Sequence, residues 1–240
     1  MAEPVLRQSS VRNGLLAALS PADWAGLGPR LEAVELPFGR TVHAAGGPVD
    51  AVLFPESGMV SLLVALEGGE QVEAGLAGPE GLVGLPLVLG DSRSLHEARV
   101  QMEGTGLRIG AAAFRAEMDR SAPLRGAMQR YALAFHAQVA LAAACNARHP
   151  IERRLARWLL AARDRAGGDE FAMTHEVMSL MLGVRRPTLT VAIHILEGAG
   201  MIRARRGAIT VLDRPKLEEA AGDTYGPAER EYERLIGPFR

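Results

Sequence analysis

Apolar positions along the chain follow two different rhythms, and the change between them divides it. From Leu31 to Ile109 they come in short runs separated by glycine-bearing turns such as Phe38-Gly39, Gly46-Gly47-Pro48, Glu56-Ser57-Gly58, Glu67-Gly68-Gly69 and Glu103-Gly104. This predicts strands at Glu32–Leu36, Ala51–Phe54, Met59–Ala65, Gln71–Leu76 and Glu97–Met102, hence a sandwich or barrel. Two short helices precede them, Leu15–Leu19 and one opened by Ser20-Pro21, after a loose Met1–Ser10. A short helix carrying Phe114 follows, within Ile109–Met118. From Ser121 the period becomes helical: Leu124, Met128, Tyr131, Phe135, Val139, Ala142 and Cys145 step by four, three, four, four, three and three. That is close to an a/d seam, and nearby alanines would let a second helix approach closely. The seam suits either a two-helix dimer interface or a helix buried in its own subunit, and the alanines favour the dimer. His149-Pro150 ends the helix, because the residue before proline is pushed out of the helical region, and a hinge is expected there.

Beyond the hinge, Ile151–Arg165 is amphipathic, with Leu155, Trp158 and Leu159 inward and Arg153, Arg154 and Arg157 on or beside the other face. Thr174 can cap a helix over His175–Leu182, Gly183 supplies a tight turn, and Val184 is a plug between crossed helices. Arg186-Pro187 opens a second helix, with proline in the first turn where its missing N–H costs nothing. Its inner face is Leu189, Ala192, Ile193 and Leu196, leaving Thr188, Thr190, Val191 and His194 outside. It ends at Gly198-Ala199-Gly200. Met201–Ala204 and Ala208–Leu212 then make a hairpin tipped by Arg205-Arg206-Gly207. Helix, turn, helix and basic hairpin make a winged helix-turn-helix. Arg185, Arg186, Thr188 and Thr190 at a helix N-terminus suit base edges in a major groove. Arg205 and Arg206 at the hairpin tip suit phosphates, and Thr174 and His194 are expected among the DNA-binding residues. Double-stranded DNA is the expected partner. Lys216–Ala221 and Ala228–Leu235 are read as terminal helices of unknown role.

These residues resemble the Crp/Fnr transcription regulators. The resemblance rests on Ile151 to Leu160, Thr174-His175-Glu176, Met181 to Thr188, Ala199 to Ile202 and Arg206 to Val211. It implies an α+β chain: an N-terminal double-stranded β-helix or jelly-roll barrel of the cyclic-nucleotide-binding type, a long dimerisation helix and a C-terminal winged helix. The divisions are 11–120, 121–149 and 150–220, with an extension over 221–240. It also implies a homodimer on a palindromic site, an effector in the barrel, and RNA polymerase as a further partner. Arg186 matches the family's base-reading arginine. Pro187 and Val191 stand where many members have glutamate and arginine, so the familiar family target is not expected.

The effector would lie near Gly81, Gly84, Arg93, Ser94 and Arg99. Arg93-Ser94 resembles the family's phosphate-binding pair only after a gap, Leu82 replaces the expected acid, and Glu80 lies on the other side of the glycine. An unidentified small molecule other than cyclic AMP is therefore expected, and no cofactor is certain. The alternatives are an effector-independent or redox-responsive regulator of the same fold, or a ligand-binding module without a DNA role. Cys145, the one cysteine, sits beside the hinge as either a redox thiol or a plain apolar residue.

Composition changes this picture little. The 240 residues carry a net charge of −1, but 150–216 holds twelve Lys or Arg against seven Asp or Glu, which suits an anionic polymer. One cysteine allows no intrachain disulfide and suits a reducing compartment. The polar start lacks a signal peptide's core, and the uncharged run Tyr131–Ala147 is short for a membrane span. A cytoplasmic protein is expected. No nucleophile elbow, phosphate loop or metal-spaced histidine cluster occurs, so catalysis is not expected.

Overall fold

The computed structural model describes residues 6–239, so part of the loose Met1–Ser10 segment lies outside it, while Gln8–Ser10 forms a 3-10 turn. Helices α1 (Gly14–Ala17) and α2 (Pro21–Leu27) come first. Asn13 and Ser20 cap them, each side chain accepting from the N–H three residues on, which satisfies an otherwise orphaned donor.

Seven strands follow: β1 (Glu32–Leu36), β2 (Thr41–His43), β3 (Ala51–Pro55), β4 (Met59–Ala65), β5 (Gln71–Ala77), β6 (Glu97–Met102) and β7 (Gly104–Gly110), with helix α3 (Leu85–Val88) between β5 and β6. They form two antiparallel sheets, β1-β7-β3 and β2-β6-β4-β5, rather than one closed hydrogen-bonded ring among the described residues. Leu36, Val52 and Phe54 of the first sheet meet Val60, Leu62, Ala98 and Val100 of the second in one core. Strands β2 and β7 escape sequence reasoning. The first is three residues long, and the second carries three glycines, which ordinarily weaken a strand. Gly106 is closely packed: a Cβ there would lie 2.8 Å from Leu53 Cδ1 and 3.1 Å from the Phe54 carbonyl oxygen.

Helix α4 (Ala111–Arg120) buries Phe114 and leads into the long helix α5 (Ala122–Arg148), capped by Ser121. His149 is extended, and Pro150 starts the bend into α6 (Ile151–Ala166). The arm then runs β8 (Glu170–Ala172), α7 (His175–Leu182), α8 (Arg186–Gly198), β9 (Ile202–Arg205), β10 (Ala208–Val211), α9 (Arg214–Ala221) and α10 (Pro227–Leu235). Strand β8 adds a third member to the predicted hairpin, in the order β8-β10-β9.

The arm does not stand free. Met59, Leu63, Leu76 and Met102 of the strands share a core with Leu155, Trp158, Leu159, Met178, Met181 and Leu182 of the arm. Polar groups reinforce it. Trp158 Nε1 donates to Glu73 Oε1 at 2.8 Å, and Ser61 Oγ donates to Glu73 Oε2 at 2.6 Å. Burial pushes the Glu73 carboxyl up to about 7, against the opposing pull of its two hydrogen bonds. Arg165 and Glu80 form a second link at 2.7 Å, with side chains only 2% and 3% exposed.

Candidate nucleic-acid interface

The recognition elements hold together for local reasons. Thr174 Oγ1 accepts from Val177 N, capping α7, and Gly183 closes it at φ +61, a left-handed turn that glycine makes without strain. Leu189, Ala192, Ile193 and Leu196 are buried as their spacing predicts, whereas Thr188, Val191 and His194 are exposed. Thr190 is half-buried, and its hydroxyl donates to the Arg186 carbonyl at 2.9 Å within its own helix.

Between the start of α8 and the wing lies an open groove of about 740 Å³, lined by Thr174, His175, Arg186, His194, Arg205 and Arg206 among others. Arg185, Arg186, Arg205 and Arg206 are exposed and form no ion pair among the described residues. Glu197 fixes the wing against α8 by accepting from Ala204 N at 2.6 Å, while its other oxygen lies 3.5 Å from His194 Nδ1. Sequence reasoning missed Glu197 and His175. The first sits one turn after His194 on the outward face, which was its only signal.

The residues expected around an effector are not gathered at one opening. Gly81 lies under the Tyr131 ring, whose hydroxyl occupies the place of a Cβ there. Gly84 is left-handed at φ +116, packed on the backbone of Ala51 and Val52. Arg93 is exposed in an isolated antiparallel bridge to Pro48, Ser94 is buried with its Oγ accepting from His96 N, and Arg99 pairs with Glu97 at 2.8 Å. His43 is buried in the neighbouring β2, and burial lowers its pKa.

The α5 seam requires correction. Leu124, Met128, Tyr131, Phe135 and Ala142 are buried within a single chain, and Val139 packs partly against the same core, so this face is not free for a second copy. The same spacing results when a helix lies on its own sheet domain, which is why periodicity alone could not separate the two. The exposed residues of α5 include Gln129, Leu133, His136, Ala140, Ala143 and Ala147, which step by four, three, four, three and four. Cys145 is also buried, beside Arg154. Arg153 and Arg154 are engaged within the chain: Arg153 with His149 and Asp223, Arg154 with Asn146 and the Leu182 carbonyl.

No group of three or more His, Cys, Asp or Glu is placed to hold a metal ion, and no helix is long and apolar enough to cross a membrane, among the described residues.

Comparison with known proteins matches both halves. A cyclic nucleotide-binding domain model covers residues 33–121, and a Crp-like helix-turn-helix model covers 153–220. No curated protein matches by sequence. Several solved structures share the fold. A CRP-family transcriptional regulator from Thermus thermophilus is 18% identical, over 79% of this chain and 97% of that one, with a TM-score of 0.67. A crp/fnr-family regulator from Eubacterium rectale is 19% identical, over 88% and 98%, at 0.68. FixK2 from Bradyrhizobium japonicum is 15% identical, over 80% and 98%, at 0.70. With a cyclic-nucleotide-type sheet domain, a long helix and a Crp-like winged helix in the expected order, the chain belongs to the Crp/Fnr family of DNA-binding transcription regulators.

Proposed function

We propose that the chain acts as a homodimer on a two-fold DNA site, with 11–120 as sensing unit, 121–149 as dimerisation helix and 150–220 as DNA reader. The observation that carries this is the open groove between α8 and the wing, with its unpaired arginines. Arg185, Arg186 and Thr188 face base edges, and Thr190, His194 and Val191 flank them. Thr174, Arg205 and Arg206 meet phosphates, which position the arm without reading sequence. Two copies would place their α8 helices about one turn, ~34 Å, apart. The second copy docks on the exposed Leu133–Ala140–Ala147 stripe of α5 rather than on the inward seam. RNA polymerase is the further partner the family implies.

Cyclic AMP is not the effector in this reading. A nucleotide phosphate needs a cation and donors turned toward it. Here Arg93 is exposed, Arg99 is tied to Glu97, and Tyr131 fills the space beside Gly81. Calorimetry showing tight cyclic AMP binding would overturn that part.

Selection of duplexes from a random library by the ligand-free protein tests the whole reading. The expected result is an enriched palindrome with half-sites one turn apart. Salt-sensitive binding without enrichment would refute a dimer competent on its own.

A further inference from the structure

The chain continues past the matched helix-turn-helix, which ends at residue 220, and this last segment is built into the molecule. Tyr232 of α10 is buried, and its hydroxyl donates to the backbone carbonyl of Glu80 at 2.6 Å. Glu80 lies in the turn after β5, where the family resemblance places the effector. Phe239 meets Tyr232 edge-on, with ring centres 5.2 Å apart, and the Arg165 guanidinium lies 5.5 Å from the centre of the Phe239 ring. The same Arg165 makes the buried pair with Glu80. Arg130 of α5 donates to the Leu235 carbonyl at 3.1 Å. Closer to the arm, Tyr225 donates to Asp164 of α6, and Arg214 bonds both residues. The extension thus touches the sensing turn, the long helix and the first helix of the DNA arm together. Those three elements must shift relative to one another if the chain bends at His149-Pro150. Between Tyr131, Phe135, Arg165, Tyr232 and Phe239 the remaining crevice is about 20 Å³, roughly room for one water.

We propose that this C-terminal extension stands in for a small-molecule effector: it is a tethered brace that locks the sensing turn to the DNA arm, so that the regulator is held in its DNA-competent arrangement without a ligand. Tethering explains why no free ligand is needed. A segment on the same chain sits beside its site at a local concentration on the order of millimolar or above, so the contact is made nearly all the time. The groove that reads DNA is lined by arm residues alone and stays open while the brace is closed. The inference rests on the proposed DNA-reading function, and its test separates the two.

Full-length protein is compared with Tyr232→Phe/Phe239→Ala, which keeps the chain length and most of the buried surface, and with a chain ending at Tyr225. Hydrogen–deuterium exchange is followed at residues 148–152, and affinity is measured for the duplex selected by the full-length protein. The expected result is exchange at least tenfold faster and specific affinity at least tenfold weaker in the double variant. A synthetic peptide spanning 226–240 should restore both in the shortened chain. Unchanged exchange at the hinge would overturn the brace. Faster exchange with unchanged affinity would overturn its role as an effector substitute. Faster exchange in a protein whose full-length form selects no duplex would overturn the DNA-reading function and leave the brace standing.

Discussion

In the DNA arm, Arg186, Arg205 and Arg206 line an open groove, and they and Arg185 stand exposed with no ion pair among the described residues. Around the sensing turn three carboxylates are engaged within the chain. Glu80 holds Arg165, Glu97 holds Arg99, and Glu73 accepts from Trp158 and Ser61. The difference is physical. Exposed guanidinium groups are solvated at little cost and can exchange water for phosphate or a base edge. A buried carboxylate without a partner is expensive, so the fold supplies one. A surface prepared for an outside partner keeps donors unpaired and solvated, whereas a surface that stabilises its own fold consumes them. By that criterion the arm awaits a ligand, and the sensing turn has found one inside its own chain.

The largest effect should come from breaking the engaged side of this contrast. Trp158 is fully buried where the strands meet the arm and donates to Glu73. Trp158→Ala removes the ring and orphans a buried acceptor, so a loss of about 3–5 kcal/mol is expected. Chemical denaturation measures it, and a loss under ~1 kcal/mol would mean that the shared core contributes little.

Glu73 tests the same junction through pH. Its carboxyl is raised to about 7 from an ordinary 4.5. Between those values the folded chain keeps a proton that the unfolded chain has released. This contribution to stability is therefore present at the acid end and lost as pH rises toward 7, on the order of 3 kcal/mol. Glu73→Gln should lack that fall, so melting curves of the two chains should diverge between about pH 5 and 7. Parallel curves would show that Glu73 is ionised in the fold throughout.

On the unpaired side, Arg186→Ala should cost ~1–3 kcal/mol of DNA affinity and relax preference at one base position. A uniform loss over all sequences would turn Arg186 into a phosphate contact. Arg205→Ala should give that uniform loss, smaller in size, and lower the slope of log affinity against log salt by about one.

The arm was legible in the sequence because its signals are local. A capping threonine, a turn glycine, a proline in the first helical turn and a four-residue apolar face each report on neighbours within one or two turns. The junction was not legible, because Glu73 and Trp158 lie 85 positions apart and neither carries a motif. Strand alternation offered one hint: Glu73 takes an inward position on β5, between half-buried Val72 and Ala74. The α5 seam shows the opposite failure. Its spacing was read correctly, but periodicity reports which face is apolar and not what covers it. The edge strand β2 and the central strand β7 were hidden by shortness and by glycine, whose use at Gly106 is visible only once Leu53 lies against it.

The smallest expected effect is the one that bears hardest on the contrast. Arg93 resembles half of a phosphate-binding pair, yet its side chain is exposed, while its neighbour Ser94 is buried and accepts from His96 N. An exposed arginine with no partner resembles the DNA arm's arginines in every local respect. What differs is its surroundings, because Glu80 and Tyr131 already occupy the turn it would have to serve. Arg93→Ala should therefore change stability by less than ~0.5 kcal/mol and leave DNA affinity unaltered, with or without added cyclic nucleotides. Titrations of both chains against the selected duplex, with and without nucleotide, measure this. A nucleotide response in the parent chain that disappears in the variant would show that Arg93 holds a phosphate, and exposure of a cation would then mark a waiting site in the sheet domain as it does in the arm.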